Sequence, residues 1–348
     1  MVFGQLQLAV AVRGPHHRDV APDAVESHPA FCGLDRAHLG ELIEEVAGPW
    51  AAQHESALHE RRGHDRQRAA GAGPNHQLVF VDRVLITLVY LRLQLPHAAL
   101  AELYGVTRPT VTRAIHEIRP LPARRGFAVP QRLGARLHTL TGVFAYAEAE
   151  GSRPARRRNR SASPPSPGRT SRPQGVRVRQ EEAEHRQKKQ STAKTTTVSD
   201  SSGRLLWSGT DRPGRMRDQT AVRAEGIAEQ FRLHPKVKAE ADEGYRGLAN
   251  EFPDQVMVPR KKPEDDAPLG GRHAWRRQRR RQSSRRICVE HVIGEVKKWR
   301  PWDRHTRRRE YYPETHAAIA GLVCDRASRR PTRPRTSTEL VPLHCTAC

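Results

Sequence analysis

The chain has 348 residues, 61 Lys and Arg against 38 Asp and Glu, a net charge of +23 and 36% hydrophobic residues. That length suits one large domain or two smaller ones. A pI near 10.9 calls for a polyanionic partner, nucleic acid ahead of a membrane surface, because Lys and Arg gain affinity by displacing counterions from phosphates.

No apolar run approaches the ~20 residues that span a bilayer. The greasiest stretch, 84–95, is broken by Thr87, Arg92 and Gln94. Residues 1–12 lack the basic start and small-residue cleavage site of a secretory leader. The expectation is a cytoplasmic, nucleoid-associated protein with no membrane partner. Five cysteines make no disulfide framework: Cys32, Cys288 and Cys324 lie far apart, and Cys345 and Cys348 form one CxxC with no second pair to complete a zinc site.

Residues 1–33 carry little pattern and read as poorly structured. Over 34–50, Leu39, Leu42, Ile43 and Val46 recur at helical spacing, with Asp35 as N-cap. A basic connector follows over 61–75. Helical signals resume at Leu78, where Val81, Val84, Leu85, Leu88 and Leu91 share one face until Pro96 closes the helix. Short helices over 98–104 and 107–118 complete a helical module spanning 34–126.

Residues 143–150 are helical in pattern. The segment 151–194 holds no Leu, Ile, Met, Phe, Tyr, Trp or Cys and is dense in Arg, Ser, Pro and Gln. Alone it buries too little apolar area to offset its ordering entropy, so disorder is expected there. Two β-like runs, 195–198 and 204–208, flank turn residues 199–203 and read as a hairpin. A helix over 221–231, strands over 237–241 and 256–259, a polar loop over 263–281 and helices over 284–299 and 315–326 follow. That order describes a mixed α/β domain over 195–330, with a flexible tail at 331–348.

Two constellations carry chemistry. The first is a helix-turn-helix at 97–119. Gly105 can take the positive φ of a tight interhelical turn, Val106 plugs the core and Thr107 caps the second helix, with Pro109 tolerated in its first turn. Val111, Ala114, Ile115 and Ile118 point inward, leaving Arg108, Thr110, Thr112 and Arg113 to face base edges and phosphates. An ordinary αα-hairpin is the rival, and the hydroxyl-and-arginine face favours DNA binding.

The second is acidic. Asp242 follows a strand-like run, and Glu290 sits on a helix between Arg286 and Lys297. A carboxylate from a strand end and another from a later helix can hold Mg²⁺ through oxygen ligands. Two such ions activate water and stabilise the leaving oxygen in phosphodiester cleavage. Taken alone, a turn residue and a salt-bridge partner explain the pair as well.

A resemblance adds to this. Arg286, Glu290 and Lys297 repeat the Arg–(three)–Glu–(six)–Lys spacing of bacterial insertion-sequence transposases of the Asp-Asp-Glu (DDE) superfamily. The run 241–247, Ala-Asp-Glu-Gly-Tyr-Arg-Gly, is similar to the segment holding that family's second catalytic Asp. Residues 213–220 resemble its stretch before the central helix, and 78–120 its helix-turn-helix module. The resemblance spans most of 34–330 apart from 151–194. Ser283 stands where the family has Tyr.

The resemblance implies a ribonuclease-H-like mixed sheet with flanking helices, preceded by an all-α helix-turn-helix module. It implies Asp242 and Glu290 as catalytic and metal-binding residues with Arg286 and Lys297 in support. It also implies a two-metal Mg²⁺ (or Mn²⁺) site, double-stranded DNA (transposon ends and target) as partner, and a homo-oligomer on DNA.

The family's first Asp, normally in an Asp-Gly-Thr-like run on the first strand, is missing: no Asp occurs between Asp82 and Asp200, and Asp200 sits in the expected hairpin turn. A shifted reading frame accounts for this. GAC-GGA-ACC-GAA-GTC with a preceding C reads one base earlier as CGA-CGG-AAC-CGA-AGT, giving the Arg-Arg-Asn-Arg-Ser found at Arg157 to Ser161. Glu181 to His185 reads likewise as a shifted Lys-, Gln- and Asn-rich run, the alternative being a genuine basic linker. Without that Asp, DNA binding is expected with weak or absent catalysis. The rivals are a non-enzymatic helix-turn-helix regulator, which would need an effector pocket or dimer helix after Pro120, and an RNA-binding protein, for which 5% aromatic residues supply few stacking platforms.

Overall fold

The computed structural model describes residues 27–65, 77–130, 134–151, 176–182, 193–200, 203–213, 216–264, 266–303 and 308–329, with 67 and 132; for 151, 176–182, 193, 281–290 and 303 it describes the backbone alone. The readings of 1–26, of the run Arg157 to Ser161, of the Cys345–Cys348 pair and of the tail lie outside the described residues.

The helical half is built around α3. A short α1 (Pro29–Cys32) leads into α2 (Arg36–Arg62), capped by Asp35, whose carboxylate accepts from the His38 amide at 2.9 Å. The helix continues past the expected end at Trp50: Pro49 lies on an exposed turn inside it, and α2 runs on to Arg62, where a left-handed Gly63 ends it. Helix α3 (Phe80–Leu93) is buried from Asp82 to Leu91. It is therefore a central helix rather than the one-faced helix that the spacing suggested, and Val81, expected inward, is 40% exposed near its start. Against it packs α5 (Arg108–Ile118), which carries α4 (His97–Tyr104) and a one-turn α6 (Pro120–Arg124) that the sequence pattern did not disclose.

A two-stranded hairpin of β1 (Phe127–Ala128) and β2 (Arg136–Leu137) leads into α7 (Leu140–Gly151), whose Phe144 is fully buried edge-on against Phe231. The main sheet comprises β3 (Val176–Glu182), β4 (Ala193–Ser199), β5 (Leu205–Ser208), β6 (Arg212–Pro213), β7 (Ala239–Ala241) and β8 (Val256–Met257). Its order is β5-β4-β3-β7-β8, with β6 added to the start of β4. The first three strands meander antiparallel, and β7 and β8 then join in parallel. A meander followed by a parallel pair, with the first strand in the middle, is the ribonuclease-H-like arrangement.

Three expectations change. The segment 151–194 is not irregular throughout: Val176–Glu182 forms the central strand, hydrogen-bonded on both edges. Pairing on two sides supplies what its composition lacks, since β-propensity follows context more than sequence. The helix expected over 221–231 is two, α8 (Asp218–Ala224) and α9 (Ile227–Leu233), separated at Gly226. The loop expected over 263–281 is mostly helix, because α11 runs from Leu269 to Lys297. The remaining elements are α10 (Arg246–Glu251), α12 (Arg300–Asp303) and α13 (Tyr312–Arg329).

Helix α13 joins the halves. It packs on α6, β1 and β5, and its Asp325, 3% exposed, receives Arg125 and Arg136 at 2.8 Å each. Both guanidiniums also reach Glu45 on α2, and His38 Nε2 lies 3.6 Å from Asp325. Burial pushes the Asp325 carboxyl up, but His38 and the two arginines outweigh it and hold the group below the usual carboxylate range. Arg119 pairs with Glu314, and Arg92 lies 5.5 Å over the buried Trp299 ring.

Removing one partner of a buried ion set leaves the others uncompensated. Asp325→Ala is expected to cost about 3 kcal/mol in a denaturant melt. Because the folded pKa of Asp325 lies below the unfolded one, its contribution is complete above the unfolded pKa and is lost as pH falls through the folded value. Acid denaturation of wild type should therefore be steeper than that of Asp325→Ala.

Candidate functional site

The helix-turn-helix is built as the spacing requires. Gly105 has φ 62°, and the Val106 amide donates back to the Ala101 carbonyl at 3.0 Å, turning the chain between α4 and α5. Val111, Ala114, Ile115 and Ile118 are buried, and Arg83 on α3 clamps Glu117 of α5 at 2.6 Å. Arg108 and Arg113 are exposed on α5.

The hydroxyls behave differently from expectation. Thr107 makes no side-chain cap; its Oγ1 instead lies 2.9 Å from that of Thr110. Thr112 is half-buried: its hydroxyl donates to the Arg108 carbonyl at 3.0 Å and meets His97 Nδ1 at 2.8 Å. That engagement turns Thr112 towards α4, so the outward face rests on Arg108, Thr110 and Arg113.

In the sheet, β3 and β7 align Val176 with Ala239, Arg177 with Glu240 and Val178 with Ala241. The pairing ends one residue before Asp242, and Arg179, the next residue of β3, pairs with Thr197 on β4. Asp242 is half-buried where β7 turns into a 3₁₀ turn at Glu243–Tyr245. The first residue of that turn's return, Gly244, is required by close approach: a Cβ there would overlap the Asp218 carboxylate. Asp218 opens α8 and receives the Lys194 ammonium at 2.6 Å, with the Met216 carbonyl 3.2 Å from the same nitrogen. Lys194 is 5% exposed. Sequence reasoning missed this Asp218–Lys194 pair, although Asp218 stands inside the run quoted for the family resemblance; only the glycine at 244 signalled a close approach.

Asp200 is a turn residue, as expected. It accepts from the Arg204 amide at 2.8 Å and pairs with the Arg204 guanidinium at 2.6 Å. It lies at the opposite end of β4 from Lys194, three residues past Thr197. The other substitute acids are also engaged, Glu148 with His234 at 2.8 Å and Glu150 with Arg132 at 3.8 Å.

Glu290 and Arg286 lie in α11, and their side chains are outside the described residues. At 100° per residue, Arg286, Glu290 and Lys297 fall on one stripe of that helix, and Lys297 is exposed. Val292, Ile293 and Val296, on the flank of that stripe, are buried. Next to Glu290, His291 and Val292 line a small pocket with Gly203, Glu295, Val323 and Arg326, at the Asp200 end of the sheet. Asp242, by contrast, is packed towards α8.

Behind β4, Glu225 is wedged between Thr196 and Arg212. Burial outweighs both of these and raises its carboxyl to about 7.

Two sequence families match the chain. The model described as DDE superfamily endonuclease matches residues 169–324, and that described as helix-turn-helix of DDE superfamily endonuclease matches residues 76–128. The chain belongs to the DDE-superfamily transposases and carries their helix-turn-helix region. The first match starts inside the segment that the sequence resemblance had left out, and so includes β3.

No curated protein matches the transposase chain. Among solved structures it is similar to three of Mos1 transposase. The pre-cleavage transpososome is 13% identical, covering 79% of this chain and 86% of that one at a TM-score of 0.16. The paired-end complex with the left transposon end is 12% identical, covering 78% and 85% at 0.17. The strand transfer complex is 14% identical, covering 79% and 86% at 0.16.

Superfamily membership implies dependence on divalent metal in general. Among the described residues, which do not include the Glu290 side chain, no three His, Cys, Asp or Glu gather as donors. The acid nearest Gly244, Asp218, is engaged by the Lys194 ammonium.

Glu225 gives a pH test. Its folded pKa is raised, so the fold takes up a proton between pH 4.5 and about 7 and loses stability as pH rises through that window. Glu225→Gln should raise stability at pH 8 by about 1–2 kcal/mol and change it little at pH 4, as read by thermal melts at both pH values.

Proposed function

We propose that this transposase binds double-stranded DNA at transposon ends through α4 and α5 and that its nuclease half cuts weakly or not at all. The observation that carries the reading is that no Asp stands between Asp82 and Asp200, so β3 offers no aspartate to share a metal ion with Asp242. In an intact relative, Asp242, Glu290 and a first-strand Asp would hold two Mg²⁺ or Mn²⁺ ions. Arg286 and Lys297 would offset phosphate charge beside Glu290.

Without a first-strand Asp, Asp242 and Glu290 offer a divalent cation too few oxygen ligands to hold it firmly. A shifted reading frame across 151–194 accounts for the missing Asp, since the bases that encode Arg157 to Ser161 can encode an Asp-Gly-Thr run in the neighbouring frame. Assembly on paired ends as a homo-oligomer belongs to the same reading.

The binding half is tested with a fluorescent duplex carrying the terminal repeats that flank the encoding element. Wild type should prefer this duplex to an unrelated one. Arg108→Ala and Arg113→Ala should each weaken binding by about tenfold, the lower end of what a side-chain contact to DNA contributes. Equal affinity for both duplexes, or unchanged affinity in both variants, would overturn the assignment of α5 as the reading helix.

A further inference from the structure

The first half of α11 has no structural reason to be so basic. From Leu269 to Arg286 it holds Arg272, Arg276, Arg277, Arg279, Arg280, Arg281, Arg285 and Arg286 and no acid. Like charges three and four residues apart on a helix destabilise it, and this half has almost no apolar face to compensate. Arg276, Arg277, Arg279 and Arg280 are exposed. Trp275 anchors the stretch, its indole N–H donating to the Arg260 carbonyl at 3.2 Å while Arg279 sits 5.6 Å over its ring. That bond brings the exposed Arg260 and Lys261 alongside the helix.

The spacing is ordered as well as basic. Positions 272, 276, 279, 283, 286 and 290 fall within about 40° of one line along the helix. The stripe runs about 27 Å to Glu290 at 1.5 Å per residue, roughly the length of eight base pairs.

We infer that this arginine stripe of α11 is a second DNA interface, gripping the phosphate backbone of duplex DNA independently of its sequence and guiding it along the helix towards Glu290. The inference rests on the transposase reading above and adds the surface by which the nuclease half holds its DNA. Duplex DNA is favoured over a single strand because Trp275 is the one aromatic residue on the stretch, leaving no series of stacking platforms. A lipid surface is disfavoured because an interfacial helix needs a continuous apolar face.

The test measures binding of the full chain to a random-sequence duplex by fluorescence anisotropy across a salt series. The variant Arg276→Gln/Arg279→Gln removes two exposed arginines of the stripe and keeps residues of similar helix propensity. Its slope of log affinity against log salt should be shallower by about 2, near 0.9 for each lost phosphate contact. The matching all-Lys variant should keep the wild-type slope, which separates lost charge from lost folding. Wild type binding with an unchanged slope in the Gln variant overturns this inference alone. Absence of salt-dependent duplex binding by wild type overturns the transposase reading and the inference with it. Loss confined to single-stranded RNA, with duplex binding intact, also overturns it.

Discussion

One buried carboxylate holds the two halves of this transposase in register. Asp325 lies under α13 and receives guanidiniums from Arg125 and Arg136, which leave the helical half on either side of the β1–β2 hairpin and share Glu45 on α2. Charges so deeply buried persist only when every partner is present. The network therefore fixes α2, the hairpin and α13 together. Its neighbour Cys324 is committed to the same seam: its Sγ meets the Leu205 carbonyl at 2.9 Å, and burial pushes the thiol pKa far up, so it stays protonated. With Arg119 on Glu314 and Arg92 over Trp299, the DNA-reading helices stand on the nuclease sheet as one packed body.

From that base, the sheet dictates what the acidic site can be. The parallel β3–β7 pairing ends one residue short of Asp242, where the chain turns through Glu243–Tyr245. Lys194 is buried against Asp218, and Asp218 lies against Gly244, two residues beyond Asp242. The fold sets Asp242 at a strand end and Glu290 on a late helix, and in the proposed reading the pair lacks its first-strand partner. Positive charge has not been lost elsewhere; the basic start of α11 leads along the helix to Glu290.

Much of the architecture was legible because it follows from local patterns. Asp35 caps α2 as its side chain allows, Gly105 turns the helix-turn-helix, and the 199–203 turn closes its hairpin through Asp200. What escaped depends on distant partners. The strand at Val176–Glu182 has an unpromising composition and is made by neighbours on both edges. The start of α11 has no apolar period to announce it and holds on through Trp275. Thr112 carries the right residue type for base reading, but His97 lies fifteen residues earlier in sequence and takes its hydroxyl in space. The Asp218–Lys194 pair joins residues 24 apart across the sheet and α8, which no short-range spacing could disclose.

The central claim is that the transposase still grips DNA but has lost the carboxylate that would let it cut. The most direct test incubates the purified full chain with duplex terminal repeats and Mg²⁺ or Mn²⁺, scoring bound and nicked DNA in the same reactions for wild type and Asp242→Ala. The account predicts binding in both proteins and no nicking above background in either. Nicking by wild type that Asp242→Ala abolishes would contradict it, showing that the sheet assembles a working metal site without a carboxylate beside Asp242.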